Sequence, residues 1–177
     1  MVASAGSMLR EHGVAGTSFA KVLEHSGGPR GSIGFHFPGG KAELVTDALR
    51  WASGRVTDAL ARAREDGTPP VEVFAGICAF YAAELTKTDF RAGCPVGAVA
   101  QEAYDDEALG AVVGEIVETW VDGLARLLAE HGRTREAAEE LATTCVASLE
   151  GAILLARVRR SRQPIDAVLA AVGPLLD

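Results

Sequence analysis

Polar and cationic side chains recur at short intervals near the start of this 177-residue chain. Arg30 can form two parallel hydrogen bonds with a guanine edge, or meet a phosphate oxygen. Ser32, His36 and Lys41 carry groups that bind phosphate oxygens. Phe35 can pack on the methyl group of a thymine. These residue types at this spacing predict a surface that contacts a nucleic acid.

Each of these assignments has a structural alternative. Arg30 is also compatible with a solvated surface position, and His36 with packing beside Phe37. Lys41 would open a helix, where free backbone amides and the helix dipole favour an anion, but it also fits a plain surface lysine. Ser18 suits a helix cap and can contact a phosphate as well. The sequence leaves both readings open.

The stretch GGPRGSIGFHFPGGKAELV, which contains most of these residues, has two competing periodicities. Ile33, Phe35 and Phe37 alternate as they would in a strand. Pro29, however, suits the first position of a helix, and Ile33 and Phe37 are four apart, so they share one helical face. The Pro-Gly-Gly run then ends the element. We predict a short helix over 29–36. Phe35 would be exposed if Ile33 and Phe37 face inward, with partial burial as an equal alternative.

A second short helix is predicted immediately upstream. Ser18 is a good N-cap for the segment FAKVLEHSG, and Gly27 can end it. Phe19, Val22 and Leu23 would then point inward. Two short helices joined by a tight turn that contains glycine form a helix-turn-helix, whose second helix lies in the major groove of DNA.

Apolar residues recur at intervals of three and four along most of the chain, as in amphipathic helices. The pattern breaks where helix terminators cluster, at 65–70, 91–95, 130–136 and 161–164. We predict an all-α chain of about nine helices. A helix-turn-helix DNA-binding domain is expected at 1–45 and a helical domain at 46–177.

Charge is distributed unevenly along the chain. Residues 1–65 hold eight Lys and Arg against six Asp and Glu, a balance of +2, whereas residues 66–177 hold nine against eighteen, a balance of −9. Only the N-terminal third is therefore expected to face phosphate. No apolar run approaches the ~18 residues of a membrane span, and the start lacks the order of a signal peptide. A cytoplasmic protein without membrane contact is expected.

Motifs of catalytic and metal sites are missing from the sequence. It contains neither GxSxG nor HExxH, and its four histidines and three cysteines lack the spacing of ligands. We expect no enzyme, no metal and no cofactor. Cys94, before Pro95, is expected to be a small buried residue, with an activated thiol as the alternative.

The motifs GTSFAKVLEHSGGPRGSIGFHFPGGKAELV and GCPVGAVAQEA resemble the TetR family of bacterial regulators, and most closely its LmrA/YxaF-type branch. The resemblance implies a homodimeric repressor of double-stranded operator DNA. Helices 1–3 would bind the DNA, and helix 4 would link them to a core with an effector cavity. It places in the DNA-binding segment Ser18, Arg30, Gly31, Ser32, Phe35, His36 and Lys41.

Gly34 departs from the family pattern. Members usually have a tyrosine ahead of the HF pair, whose phenol commonly reaches a phosphate, and glycine within a helix costs about 1 kcal/mol. The family also usually begins with a longer first helix preceded by a basic arm, whereas here only VASAGSMLREHG precedes the turn. Both differences favour an alternative function, a TetR-like small-molecule-binding or assembly protein in which DNA binding is weakened or lost.

Aromatic residues at helical spacing in the second domain predict either a cavity or plain core packing. Phe74, Cys78 and Tyr81 share one helical face, and Trp120 lies on another. Together with Glu102 they can line a pocket that has polar groups. The resemblance implies a small apolar effector in this pocket, with a planar aromatic molecule as the expectation from the family.

The last two long helices carry apolar residues on two faces. One face suits the core of the protomer and the other a second copy of the chain, which would complete a four-helix bundle across a two-fold axis. The residues predicted to form this dimer interface are Leu149, Ile153, Arg157, Val168 and Val172. The alternative is a monomeric core.

Overall fold

The computed structural model describes residues 1–29 and 33–177, apart from the side chains of Ile33 and Tyr104. This part of the chain forms nine α-helices and contains no strand, which confirms the predicted fold class. The helices are α1 (Val2–Gly16), α2 (Phe19–Ser26), α3 (Ile33–His36), α4 (Gly40–Asp66), α5 (Pro70–Lys87), α6 (Pro95–Ala100), α7 (Glu107–Glu130), α8 (Arg135–Arg159) and α9 (Gln163–Val172). Short 3-10 turns lie at Ala103–Asp105 and Gly173–Leu175.

Helix ends follow local sequence signals. The Ser18 hydroxyl accepts the N–H of Lys21 at 3.4 Å and caps α2, as predicted. Gly27 ends α2 with φ 67°, a left-handed conformation that glycine adopts without a steric penalty. Pro70 and Pro95 are the first residues of α5 and α6. A backbone N–H at this position has no partner within the helix, so proline loses no helical hydrogen bond there.

The short helix after the turn is only partly as predicted. Its described portion, Ile33–His36, is helical, so the strand alternative is wrong for these residues. Pro29, predicted as the first residue of this helix, is not helical. The fixed φ of proline is compatible with extended backbone as well as with a helix. The predicted helix over 29–36 also includes residues 30–32, which lie outside the described part of the chain. Phe37, just after α3, is buried at 6% exposure.

The chain divides into two compact units, each built from two segments. Unit 1 comprises Met1–Gly54 and Cys94–Ile116, and unit 2 comprises Arg55–Gly93 and Val117–Asp177. The predicted boundary between residues 45 and 46 separates a DNA-binding from an effector-binding domain. The division into compact units does not test that functional boundary.

Unit 1 places a helix from the middle of the chain against the N-terminal helices. Helix α1 packs on both α2 and α6. Leu9 of α1, Val22 of α2 and Val99 of α6 are completely buried. Because burial of a large aliphatic side chain stabilises a fold by about 1.5–3 kcal/mol, α6 is an integral part of this unit.

Unit 2 contains a layer formed by α5, α8 and α9, which all contact one another. Leu85, Cys145 and Ile165 are fully or almost fully buried in it. At its end, the Arg133 guanidinium donates to the carbonyl oxygens of Leu175 and Asp177, each at 2.7 Å, and so fixes the final turn.

Helix α8 is the one described helix that is long and apolar enough to cross a membrane by length and composition. Only 33% of its apolar segment is buried within the protomer. The large apolar side chains that it leaves exposed are Leu154, Leu155 and Val158. A core or interface helix of a globular protein passes the same test, so length and composition alone are weak evidence for a membrane span.

Candidate nucleic-acid interface and ligand cavity

Phe35 and His36 on α3 are exposed side chains of unit 1. Phe35 is 84% exposed, the highest value among the large hydrophobic side chains described, and His36 is exposed beside it. The two rings meet edge to face, with centroids 5.4 Å apart. An aromatic pair held in solvent has no role in the core of the protomer, so it is available to a partner surface.

The predicted DNA contacts fall into three groups. Phe35 and His36 are exposed, as a contact residue must be. Ser18 is also exposed, but its hydroxyl already caps α2. Lys41 is half-buried, and its Nζ donates to the carbonyl oxygen of Val14 at 2.7 Å, so it connects the start of α4 to the end of α1. The predicted contacts at Arg30, Gly31 and Ser32 lie outside the described residues.

A break in α1 exposes backbone amides just before the helix-turn-helix. Gly13 has φ 64° and ψ −169°, which interrupts the helix and starts a new turn at Val14. The first N–H groups of a helical turn have no partner within it. The carboxylate of Glu102 accepts two of them, the N–H of Val14 at Oε1 and the N–H of Ala15 at Oε2, each at 2.9 Å.

Other polar contacts close the same turn. The Thr17 hydroxyl donates to the carbonyl oxygen of Gly13 at 2.7 Å, and Lys21 Nζ donates to that of Gly16 at 3.0 Å. A carboxylate therefore lies at the amide end of the turn, while Lys21 and Lys41 bind carbonyl oxygens. This placement of charges matches the dipole of the turn.

Glu102 was predicted as an effector contact and is instead a structural acceptor in unit 1. No local pattern in the sequence signals this role, because its partners lie 87 and 88 residues earlier in the chain. In the structure, an added Cβ at Gly13 would collide with the Glu102 carboxylate.

Unit 2 contains a small, largely apolar cavity of about 40 Å³. Phe74, Tyr81 and Trp120, all predicted as effector contacts, line it together. The side chains that complete the wall include Leu60, Ile77, Leu124, Cys145 and Leu149. A drug-sized ligand could enter only if these side chains moved apart.

Glu150 is the one charged residue among those that line the cavity. It lies on α8, one residue beyond Leu149 and five beyond Cys145. A single carboxylate beside aromatic walls can orient a ligand by accepting a hydrogen bond from it.

Cys78 was predicted as an effector contact, but it is buried and is not among the residues that line the cavity. Burial, with smaller contributions from Cys145 and Asp166, raises the pKa of the Cys78 thiol to about 12. Burial alone raises the pKa of the Cys145 thiol to about 11. Both thiols are therefore protonated at neutral pH, and a protonated thiol is a poor nucleophile.

The residues predicted to form the dimer interface lie mainly inside the protomer. Leu149, Ile153 and Val172 are buried at 6%, 2% and 8% exposure, and a buried side chain can bury little more against a partner. Val168 is half-buried. Arg157 is also half-buried, and its side chain packs close to Gly93.

The outward face of α8 carries other residues. Leu154, Leu155 and Val158 are 50%, 46% and 76% exposed. Gly151, one turn earlier, is also exposed, and the position of its missing Cβ has no neighbour within 4 Å. The three large side chains and the glycine form an apolar face, called the α8 face below.

The described residues contain no group of three or more His, Cys, Asp or Glu side chains that could hold a metal ion. The three cysteines, all of them described, form no disulfide. Cys94 is buried before Pro95 at the start of α6.

Comparison with known proteins identifies relatives of the whole chain. A family model of the C-terminal domain of LmrA/YxaF-like transcriptional regulators matches residues 70–171, which is more than half of the chain. An HTH-type transcriptional regulator of Mycobacterium tuberculosis is 40% identical over 182 residues, covering 99% of this chain and 92% of the relative. The HTH-type transcriptional regulator LmrA of Bacillus subtilis is 27% identical over 177 residues, covering 99% and 94%.

Solved structures show the same fold. A TetR regulatory protein from Rhodobacter sphaeroides superposes with a TM-score of 0.84 at 22% identity, covering 98% of this chain and 95% of that one. The relatives named above are described as transcriptional regulators.

Proposed function

This chain belongs to the TetR family of transcriptional regulators, in its LmrA/YxaF-like branch, and on that premise we propose that it is a ligand-responsive repressor. It binds operator DNA as a homodimer in the cytoplasm. A small apolar effector that enters the cavity of unit 2 releases it from the DNA. The proposal rests on the geometry of the helix-turn-helix. Ser18 caps α2, Gly27 ends it, and Phe35 and His36 are exposed on α3.

DNA contact is proposed for the segment from Ser18 to Lys41. The N-terminal third carries a charge balance of +2 over residues 1–65, against −9 over residues 66–177. Arg30 is the best candidate for reading a base, because arginine can form two hydrogen bonds with guanine. Phe35 and His36, exposed on α3, are placed to meet a base or a phosphate.

Dimerisation is proposed through the α8 face. Apolar side chains this exposed on a long apolar helix favour burial against a second copy of the same helix. Gly151 would allow two helices to approach closely. A two-fold dimer then presents two α3 helices to successive major grooves, about 34 Å apart.

The effector is proposed to bind between the aromatic walls of the cavity. Phe74, Tyr81 and Trp120 suit a planar apolar molecule, and Glu150 suits a hydrogen-bond donor at its edge. Because the unoccupied space is small, binding must move side chains apart. A ligand shifts the protein toward a released state only by its difference in affinity for the two states.

The proposal is tested with full-length protein and the DNA upstream of its own gene. Footprinting should reveal two protected half-sites centred about one helical turn apart. The Trp51→Phe variant leaves Trp120 as the one tryptophan that fluoresces. Planar aromatic compounds that quench or shift this fluorescence should weaken the binding of the protein to DNA. Absence of any sequence-specific protection at low salt would contradict repression.

Gly34 supports a second candidate function, a TetR-like ligand-binding or assembly protein that binds DNA weakly. It is exposed on α3 and lacks the side chain that family members commonly direct at a phosphate. Under this function, ligand binding and dimerisation persist while specific DNA binding is lost.

A further inference from the structure

Glu102 makes a contact that the proposed function does not use. Its carboxylate binds the two amides freed by the break at Gly13, in the turn that immediately precedes α2. Ser18, the N-cap of α2, follows this turn directly. Any movement of the turn is therefore passed to the first helix of the helix-turn-helix.

The turn is held by hydrogen bonds more than by apolar packing. Gly13 is buried, but Val14 is half-buried and Ala15 is exposed, so little apolar area fixes the turn itself. Hydrogen bonds to a charged acceptor are stronger than neutral ones and depend on direction. A carboxylate that binds two successive amides fixes both the location and the orientation of the turn.

The contact connects α1 to the segment that follows α6. Glu102 lies two residues after Ala100, the last residue of α6, and α6 packs against α1 through its buried residues. The helix-turn-helix is thus tied to a segment from the middle of the chain by one side chain. Lys41 ties the same turn to the start of α4, through the carbonyl oxygen of Val14.

Gly13 and Glu102 depend on each other. The positive φ of Gly13 turns the amides of Val14 and Ala15 toward the carboxylate, and a side chain at position 13 would occupy the place of the Glu102 carboxylate oxygen. We propose that Glu102 is a positioning residue for DNA binding, which holds the turn at Gly13 and thereby sets the orientation of α2 and α3. The proposal rests on the proposed binding of operator DNA.

The test compares the Glu102→Gln variant with the wild type and with a matched control, Glu130→Gln. Both substitutions remove one negative charge, and Glu130 forms an exposed ion pair with Arg64 in unit 2. The amide of glutamine keeps one neutral acceptor, so one of the two contacts is lost and the other is weakened.

The first readout is affinity for a duplex that the wild-type protein selects from random sequences. We expect the Glu102→Gln variant to bind this duplex about 10- to 100-fold more weakly, because a dimer loses the contact twice, and to bind a scrambled duplex unchanged. The control should bind both duplexes as the wild type does. A purely structural role would lower the melting temperature and leave both affinities unchanged at temperatures where the variant is folded.

The second readout is hydrogen exchange of the free protein, which does not depend on DNA. Exchange in the Glu102→Gln variant should be faster throughout residues 14–26 and unchanged in unit 2. Exchange that accelerates only at Val14 and Ala15 would overturn the proposal, as would wild-type affinity for the selected duplex. Failure of the variant to fold while the control folds would also overturn it, since Glu102 would then be needed for stability. If the wild type selects no sequence, the proposed function fails, and hydrogen exchange alone decides the role of Glu102.

Discussion

The two compact units differ in the contacts at their candidate functional sites. In unit 1, Glu102, Lys21 and Lys41 bind backbone groups of a single turn at 2.7–3.0 Å. In unit 2, a cavity is enclosed mainly by apolar side chains, and an apolar helix face is left uncovered. Directional hydrogen bonds fix an orientation, whereas side chains around an incompletely filled space can repack at modest cost.

This difference corresponds to two tasks within one regulator. Reading DNA requires α3 to be held in one orientation, because base contacts depend on the geometry of individual hydrogen bonds. Accepting an effector requires a region with two arrangements of similar free energy. The polar turn of unit 1 suits the first task, and the cavity of unit 2 suits the second.

The largest effect is expected from charges on the α8 face. Leu155→Glu combined with Val158→Glu should convert the dimer to a monomer, because two carboxylates per protomer would be buried without partners. Loss of the second half-site contact should weaken operator binding by about 10²- to 10⁴-fold. Sedimentation measures the oligomeric state and fluorescence anisotropy the affinity.

Trp51→Glu is the matched control for this prediction, since Trp51 is 55% exposed but lies in unit 1. It should leave the oligomeric state unchanged. A double variant of the α8 face that remains dimeric would show that another surface forms the interface.

The next largest effect concerns the glycine on α3. Gly34→Tyr should tighten operator binding by roughly 1–3 kcal/mol for the dimer, about 5- to 150-fold, through better helix propensity and a phosphate hydrogen bond. The position has room, because an added Cβ has no neighbour within 4 Å. Gly34→Ala separates the contribution of propensity from that of the phenol. Weaker binding by the tyrosine variant with unchanged melting temperature would mean that the backbone must approach DNA closely at this position.

A smaller effect is expected from filling the cavity. Cys145→Leu adds atoms to the wall and should weaken effector binding about tenfold, at a cost in stability of about 1–3 kcal/mol from overpacking. Cys78→Leu is the matched control, since that thiol is equally buried but does not line the cavity. Titration of ligand into each variant, followed by tryptophan fluorescence, distinguishes the two. Equal effects at both positions would place the effector elsewhere.

The smallest effect concerns the buried thiols. Their pKa values are raised to about 12 and about 11, whereas an unfolded thiol loses its proton near 9. The folded state therefore binds more protons above pH 9, and stability should fall as pH rises from 9 toward 11, by up to about 1.4 kcal/mol per pH unit for each thiol. Denaturant titrations of the wild type and the Cys145→Ala variant measure the difference in slope. Identical slopes would indicate that the Cys145 thiol ionises as easily in the folded protein as in the unfolded one.

Local signals in the sequence were sufficient for α2 and for the helical conformation of Ile33–His36. Ser18 and Gly27 act on their nearest neighbours, so the cap and the end of α2 follow from a few residues. The exposure of Phe35 follows from helical spacing once the strand alternative is rejected. The aromatic wall of Phe74, Tyr81 and Trp120 was also predictable, because helical periodicity places apolar residues on shared faces.

Contacts between distant segments were not predictable in this way. Glu102 meets Val14 and Ala15 across almost half the chain, and no local pattern specifies that pairing. The two-faced apolar pattern of α8 posed a related problem. Periodicity shows that a second face exists but not which face the protomer covers. Leu149 and Ile153, predicted for the interface, are buried in the protomer, whereas Leu154 and Leu155 are exposed.

The central claim is that this chain binds DNA through the segment from Ser18 to Lys41, as a dimer. Its most direct test is the affinity of the full-length protein for its upstream DNA as a function of salt concentration, for the wild type and for Arg30→Ala. If two subunits each neutralise about three to five phosphates, log affinity should fall against log salt with a slope of roughly −5 to −9, and Arg30→Ala should bind more weakly by about 1–3 kcal/mol per half-site. Affinity that is insensitive to salt, or equal for the two proteins, would contradict this account.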